Sequence, residues 1–230
     1  MTEVLRENKR SYERGIFYLC LTILYLSVIY IVSMFIADIC SAVAIDIKSN
    51  QLTLSFIQCI VGIVSLHIPL HIERVVKIRL PNNLRCCFYV FVLCATVLGE
   101  VFSLYYRIPA WDSILHFTSG IMSGMLGGIL LMEYAKKRNC QMLITPIFVM
   151  IVVVLFAISI GVIWEIYEFV GDVVLGLNMQ KFMLENGTKL SGQGALMDTM
   201  KDLIVDSLGA MVAGFSAYFS LKSNKGWLSL

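Results

Sequence analysis

Six long apolar stretches constrain the fold of this chain more than any other feature of its sequence. They lie at about residues 15–37, 52–72, 86–106, 113–135, 143–167 and 200–221. Each is long enough to cross a bilayer as a helix, which needs about 18 or more apolar residues. Charged residues are only 15% of the 230-residue chain, whereas a soluble domain carries about a quarter. We therefore expect an all-α fold: a polytopic transmembrane helical bundle of about six helices, forming a single membrane domain over residues 1–230.

The lysine and arginine residues are distributed unequally between the two sides of this bundle. Thirteen of the 18 lie in the two chain termini and in the second-to-third and fourth-to-fifth connections. Cytoplasmic loops of membrane proteins are enriched in these residues. We therefore expect both termini in the cytoplasm. The basic residues are dispersed among loops, so nucleic acid is not an expected partner. The expected partners are the membrane lipids that surround the helices.

Acidic side chains gather at the opposite, outer side of the predicted bundle. Acidic residues have little influence on topology, so this bias needs another cause. At the start of the fourth helix, Asp112 and His116 are four residues apart and therefore share a face. The acids on or beside helices three to six are Glu100, Asp112, Glu165, Glu168, Asp172, Asp198, Asp202 and Asp206.

Some of these acids have an ordinary structural explanation, and others do not. Asp112 and Asp198 begin helices, where an aspartate caps free N–H groups and suits the positive end of the helix dipole. Glu165 and Glu168 stand near the C-terminal end of the fifth helix, where the dipole disfavours negative charge. Asp202 lies beyond the first turn of the sixth helix. The set as a whole therefore indicates a polar site.

Too few cations are expected nearby to neutralise these acids, since the nearby ones amount to Arg107 and Lys201. Carboxylate oxygens with one imidazole suit a divalent ion such as Mg²⁺, Mn²⁺, Ca²⁺ or Zn²⁺. A proton or ion pathway and a structural polar network are the alternatives. The predicted metal ligands are Asp112, His116, Glu165, Glu168, Asp198 and Asp202, and the predicted catalytic residues among them are His116, Glu165 and Glu168.

Small residues indicate which helices approach each other closely. Gly120 and Gly124 form a GxxxG pair in the fourth helix, and Gly209 and Gly214 lie in the sixth. Small side chains let membrane helices pack at short distances. Because these helices also carry the acids, we expect the polar site between helices four, five and six.

Three motifs in this region resemble those of the uncharacterised bacterial YjdF-like inner-membrane proteins, and more remotely the VanZ-like proteins. They are WDSILHF, WEIYEF and MDTMKDLIVDSLGA, within about residues 111–210. The resemblance implies that the six predicted ligands occupy recurrent polar positions, while Glu100 and Asp206 have no counterpart. It also implies a multi-pass protein of the bacterial cell membrane. The family has no established activity, so it names no reaction.

Two functions are compatible with the sequence. The first is a metal-dependent enzyme that opens to the outer leaflet and acts on a lipid-linked or cell-envelope substrate, with His116 or a glutamate as general acid/base. The second is a non-enzymatic protein that transports or senses cations or protons, or scaffolds an envelope complex. The cytoplasmic halves of helices four to six contain essentially no ionisable residue, which argues mildly against transport.

Overall fold

The protein is helical throughout most of its length. A computed structural model describes the backbone of residues 2–40, 46–140, 143–184 and 187–228, and the side chains of residues 11–37, 52–140, 143–184 and 187–228. In chain order the elements are α1 (Thr2–Cys40), α2 (Asp46–Ser65), α3 (Ile68–Val76), α4 (Asn82–Leu93), a π-helical segment (Cys94–Val101), α5 (Leu104–Arg107), α6 (Trp111–Lys137), α7 (Pro146–Leu175) and α8 (Gln193–Lys222).

All six predicted apolar stretches form helical spans. Among the described residues, the helices long and apolar enough to cross a membrane are Ser11–Ala37, Leu52–Val76, Asn82–Val101, Trp111–Lys137, Pro146–Leu175 and Gln193–Lys222. Length and apolar composition together are what a bilayer requires of a spanning helix. The predicted all-α, six-helix membrane fold is therefore confirmed.

Two of these spans are interrupted. Pro69 stands in the first turn of α3, and because proline lacks a backbone N–H the preceding helix α2 ends before it. The predicted helix 86–106 is α4 followed by the π-helical segment, and the chain then turns at Ser103, which has a left-handed backbone with φ of 60°. Gly99 allows this turn, because a Cβ there would collide with the ring of Tyr105.

The chain divides into two compact units, Met1–Trp111 and Asp112–Leu230. The single domain predicted over residues 1–230 stays a prediction. The first unit has an apolar core that includes Leu24, Cys59 and Tyr89.

A partly buried ion network lies in the first unit. Arg85 Nη2 is 2.5 Å from Glu13 Oε2, and Arg85 Nη1 is 3.1 Å from Glu73 Oε2. The other oxygen of Glu73 accepts a hydrogen bond of 2.7 Å from the backbone N–H of Leu80. One guanidinium thus joins α1, α3 and α4.

The second unit is held together by close contacts between α6, α7 and α8. A Cβ at Gly120 of α6 would collide with the backbone carbonyl of Asp206 on α8, and a Cβ at Gly209 of α8 would collide with the backbone of Phe117 on α6. On α7, a Cβ at Gly161 would lie 2.6 Å from Asp206 Oδ2. The absence of side chains at these positions lets the three helices bring their polar residues together, as small residues do between membrane helices.

Candidate metal centre

His116 lies at the centre of a buried polar group in the second unit. It stands one turn after Asp112 on α6, and their side chains share a face because residues four apart on a helix are neighbours. His116 Nε2 is 3.7 Å from Asp112 Oδ1 and 3.9 Å from Asp202 Oδ2. His116 is 7% exposed and Asp202 only 2%.

The other imidazole nitrogen of His116 has a partner of its own. His116 Nδ1 lies 3.0 Å from Asp206 Oδ2, and a carboxylate can only accept at this distance, so Nδ1–H donates. Asp206 is one turn after Asp202 on α8, and both are 2% exposed. In the neutral form with its proton on Nδ1, the imidazole would present the lone pair of Nε2 to the two aspartates Asp112 and Asp202.

Asp112, His116 and Asp202 form a group that can hold a metal ion. One ligand atom from each residue lies within 4.8 Å of the others. Two carboxylate oxygens and one imidazole nitrogen are ordinary ligands of Zn²⁺ and Mn²⁺, and the carboxylates also suit Mg²⁺. Three protein ligands leave coordination positions for water or substrate, as in catalytic rather than structural zinc sites.

A loop after α7 contributes a cation to this group. Lys181 Nζ binds Asp112 Oδ2 and lies 3.1 Å from Asp198 Oδ1. Burial alone would lower the pKa of Lys181, but the charges of Asp112 and Asp198 outweigh it and raise that pKa above its ordinary value. Lys181 therefore stays protonated at neutral pH.

Asp172, near the end of α7, fixes the loop that carries this lysine. Its two carboxylate oxygens accept hydrogen bonds from the backbone N–H groups of Met179 (2.7 Å) and Gln180 (3.0 Å). The side-chain amide of Gln180 in turn donates to Thr199 Oγ1 at 2.9 Å and to Glu165 Oε2 at 3.4 Å. Asp172 is thus a structural residue that positions Gln180 and Lys181.

The six predicted ligands occupy different places. Asp112, His116 and Asp202 come together as the group described above. Asp198 is paired with Lys181, and Glu165 with Gln180. The sixth, Glu168, is half-buried and accepts a hydrogen bond of 2.9 Å from Trp164 Nε1 on its own helix. The assignment of all six as ligands stays a prediction.

Three carboxylate oxygens in this region have no hydrogen-bond partner among the described residues. They are Asp202 Oδ1, Asp206 Oδ1 and Glu165 Oε1, and all three are buried. Leaving such an atom unsatisfied costs about 1–3 kcal/mol, and more when it is charged. The group therefore has the capacity to bind a further donor or a cation.

Comparison with known proteins places the chain among membrane proteins of unknown activity. A family model described as a predicted membrane protein, DUF2238, matches residues 16–223. The chain belongs to this family. An uncharacterized protein of Thermotoga maritima is 29% identical over 138 residues, which are 60% of this chain and 62% of that relative, so the aligned part spans under two thirds of it. No solved structure matches the chain.

Membership in the DUF2238 family confirms the expected class, a multi-pass membrane protein of an uncharacterised family. The finer likeness to YjdF-like and VanZ-like proteins, and the particular membrane, stay predictions.

Sequence reasoning missed the part played by Lys181, Gln180 and Asp206. The nearby cations expected from the sequence are Arg107 and Lys201, whereas the lysine that binds Asp112 and Asp198 is Lys181. The four-residue spacing of Asp202 and Asp206 indicated a common face, but only the register between α6 and α8 shows that Asp206 meets His116. The polar residue Gln180 carried no signal, since its role depends on the fold of the loop.

Proposed function

We propose that this protein is a divalent-metal-binding protein of the bacterial cell membrane, and that its metal centre serves an enzyme acting on a lipid-linked or cell-envelope substrate. The metal ligands in this proposal are Asp112, His116 and Asp202. Their chemistry suits Mn²⁺, Zn²⁺ or Mg²⁺.

The observation that carries the proposal is the orientation of His116. Histidine ligands of metals usually donate their other ring N–H to a carboxylate or carbonyl, which fixes the tautomer and strengthens the ligand. Asp206 accepts such a bond of 3.0 Å from His116 Nδ1. In the neutral tautomer that metal binding requires, the lone pair of Nε2 faces Asp112 and Asp202, at 3.7 and 3.9 Å. These separations exceed a direct hydrogen bond, as expected of ligands arranged around an ion.

A bound divalent ion would also offset the charge of the group. Among the described side chains, the basic groups within 4.0 Å of the carboxylates of Asp112, Asp198, Asp202 and Asp206 are the ammonium of Lys181 and the imidazole of His116. Buried charges in proteins are normally paired or bound to metals. In the catalytic form of the proposal Asp112, His116 and Asp202 would hold a metal able to polarise an oxygen of the substrate, and Glu165, with one unpartnered oxygen, would transfer the proton.

Metal content tests the proposal directly. The protein is purified in detergent without chelators, dialysed against Mn²⁺, Zn²⁺ or Mg²⁺, and analysed by elemental mass spectrometry. We expect about one ion per chain, with loss of most of it in His116→Gln and Asp202→Asn. The matched control is Glu133→Gln, on the same helix as His116 but exposed and paired with Lys136. An unmutated protein that retains none of these ions would overturn the metal centre.

Orientation is tested with single cysteines in a cysteine-free background. Lysines and arginines favour the cytoplasm at both termini and in the loop that contains Cys140. We expect an impermeant thiol reagent to label Ser191→Cys, which is exposed just before α8, in intact cells and to spare Cys140. The reverse pattern would place the centre on the cytoplasmic side.

A transport function has a separate test. Proteoliposomes loaded with a Mn²⁺-sensitive dye should show no uptake above protein-free vesicles if the centre is catalytic. Uptake that disappears in His116→Gln would favour the transporter instead.

A further inference from the structure

Lys181 occupies a position that is built from metal-type ligands. Its ammonium binds Asp112 Oδ2 and lies 3.1 Å from Asp198 Oδ1. The two oxygens of Asp112 therefore face different groups: Oδ2 binds Lys181, and Oδ1 faces His116 Nε2 at 3.7 Å. Two-metal centres hold their cations about 3.5–4 Å apart, a spacing that one shared carboxylate can span. Asp112 thus stands between the proposed metal position and the ammonium.

We infer that Lys181 supplies the second cation of a two-cation centre, filling a position between Asp112 and Asp198 that would otherwise take a divalent ion. Lys181 thereby limits the centre to one metal. The inference rests on the proposed function, since it presupposes that Asp112, His116 and Asp202 hold the first ion.

The distribution of charge supports a second cation at this place. Asp202 is 2% exposed and its Oδ1 has no hydrogen-bond partner among the described residues, which marks the first position as one that lacks a cation from the protein. The second position has such a cation. Asp112 and Asp198 are 15% and 16% exposed, and both bind the same ammonium. In the inferred centre the positive charge therefore comes from a bound metal ion at the first position and from Lys181 at the second.

Lys181 is held in place by the backbone as well as by its charge. Its φ is 48°, a left-handed conformation that a side chain other than glycine adopts at a cost. The neighbouring residue Gln180 is fixed through its N–H to Asp172 Oδ2. Strained residues of this kind persist where the surroundings determine them, and they cluster at functional sites.

Replacing the lysine is the test. Lys181→Met removes the ammonium, and Lys181→Gln removes the charge but keeps a hydrogen-bond donor for Asp112, which protects folding. In both variants we expect two Mn²⁺ per chain by elemental analysis, and a spin-coupled signal in electron paramagnetic resonance. The first ion should bind at least about ten-fold more tightly, because a neighbouring positive charge has been removed. Lys181→Arg keeps the charge and should hold one ion.

The matched control is Lys189→Met, which removes the same charge from an exposed position of the same loop. It should leave both the number and the affinity of bound ions unchanged. A second control, Lys181→Gln combined with Asp198→Asn, should return the count to one, since the second position then lacks one of its ligands.

The outcomes separate this inference from the proposed function. One ion in the unmutated protein and still one, bound no more tightly, in both Lys181→Met and Lys181→Gln would overturn the second cation position. No ion in the unmutated protein would overturn the metal centre itself.

Discussion

Two clusters of acids, one in each unit, are accommodated in this apolar helical protein in different ways. In the first unit Glu13 and Glu73 share Arg85, and the second oxygen of Glu73 accepts from the N–H of Leu80. In the second unit one lysine and one histidine contact the carboxylates of Asp112, Asp198, Asp202 and Asp206. Two acids share one guanidinium in the first case, and buried oxygens are left without partners in the second.

This difference separates a structural network from a candidate binding site. Composition alone does not distinguish the two, because both regions contain carboxylates and basic groups. Buried polar groups are nearly always hydrogen-bonded, so an unpartnered carboxylate oxygen calls for an explanation. Asp202 Oδ1, Asp206 Oδ1 and Glu165 Oε1 are three such atoms within one unit. The carboxylates of Glu13 and Glu73 are both paired with Arg85, whereas those around His116 retain buried oxygens with capacity for a ligand.

The comparison is tested most strongly by removing the cation of the first unit. Arg85→Met leaves Glu13 and Glu73 buried without their partner, which should lower the free energy of unfolding by about 3–5 kcal/mol. Thermal unfolding in detergent measures the loss, and the metal content of the folded fraction should not change. The exposed pair Glu133–Lys136 provides the control, since Lys136→Met should cost no more than about 1 kcal/mol. An equally small effect of Arg85→Met would mean that the network does not stabilise the unit.

The second test adds the missing charge to the second unit. At a Mn²⁺ concentration of about one hundred times the dissociation constant, binding should stabilise the unmutated protein by about 2.7 kcal/mol. A rise in the unfolding midpoint on adding Mn²⁺ reports it. Asp202→Asn should not respond, because it lacks one of the three ligands. If Asp202→Asn were stabilised as much as the unmutated protein, the ion would be bound elsewhere.

The third test removes the residue that orients the imidazole. In Asp206→Asn the amide oxygen can still accept from His116, but the negative charge is lost. Metal affinity should fall about 10–100-fold, as it does when such supporting carboxylates are replaced. Titration calorimetry measures the change. Ser207→Ala on the same helix removes a hydroxyl that donates only to the carbonyl of Leu203, so its metal affinity should be unchanged. An unaltered affinity in Asp206→Asn would remove Asp206 from the centre.

The smallest expected effect comes from moving a carboxylate without deleting it. In Gly161→Ala the new Cβ would lie 2.6 Å from Asp206 Oδ2 and 3.1 Å from its Cγ, so that side chain must shift, which disturbs its contact with His116. Metal affinity should fall by less than about ten-fold, below the loss in Asp206→Asn. The control is Gly194→Ala, whose Cβ would meet only Leu190 Cβ, at 3.9 Å. A Gly161→Ala variant that binds as tightly as the control would show that the position of Asp206 is not critical.

Most of the fold could be predicted from the sequence because hydropathy and length decide where a membrane helix forms. The predicted stretch 113–135 falls within the span Trp111–Lys137, and 143–167 overlaps Pro146–Leu175. What hydropathy does not encode is local backbone geometry. The π-helical segment Cys94–Val101 and the turn at Ser103 depend on contacts such as that of Gly99 with Tyr105.

The candidate site was only partly predictable for a related reason. Helical spacing places Asp112 with His116, and Asp202 with Asp206, on common faces, since each pair belongs to one helix. Whether these faces meet depends on the register between α6 and α8, which the contacts at Gly120 and Gly209 set. Lys181 lies in a loop, where no helical periodicity indicates which way a side chain points.

The hydrogen bonds of Asp172 fix the backbone that immediately precedes Lys181. Because the backbone of Met179 and Gln180 is attached to Asp172, the position of the Lys181 ammonium depends on how closely the lysine follows Gln180 in the chain. A one-residue insertion between Gln180 and Lys181 lies outside the helices and would carry the ammonium away from Asp112. In this loop the length of the chain is therefore as much a part of the centre as the identity of the lysine.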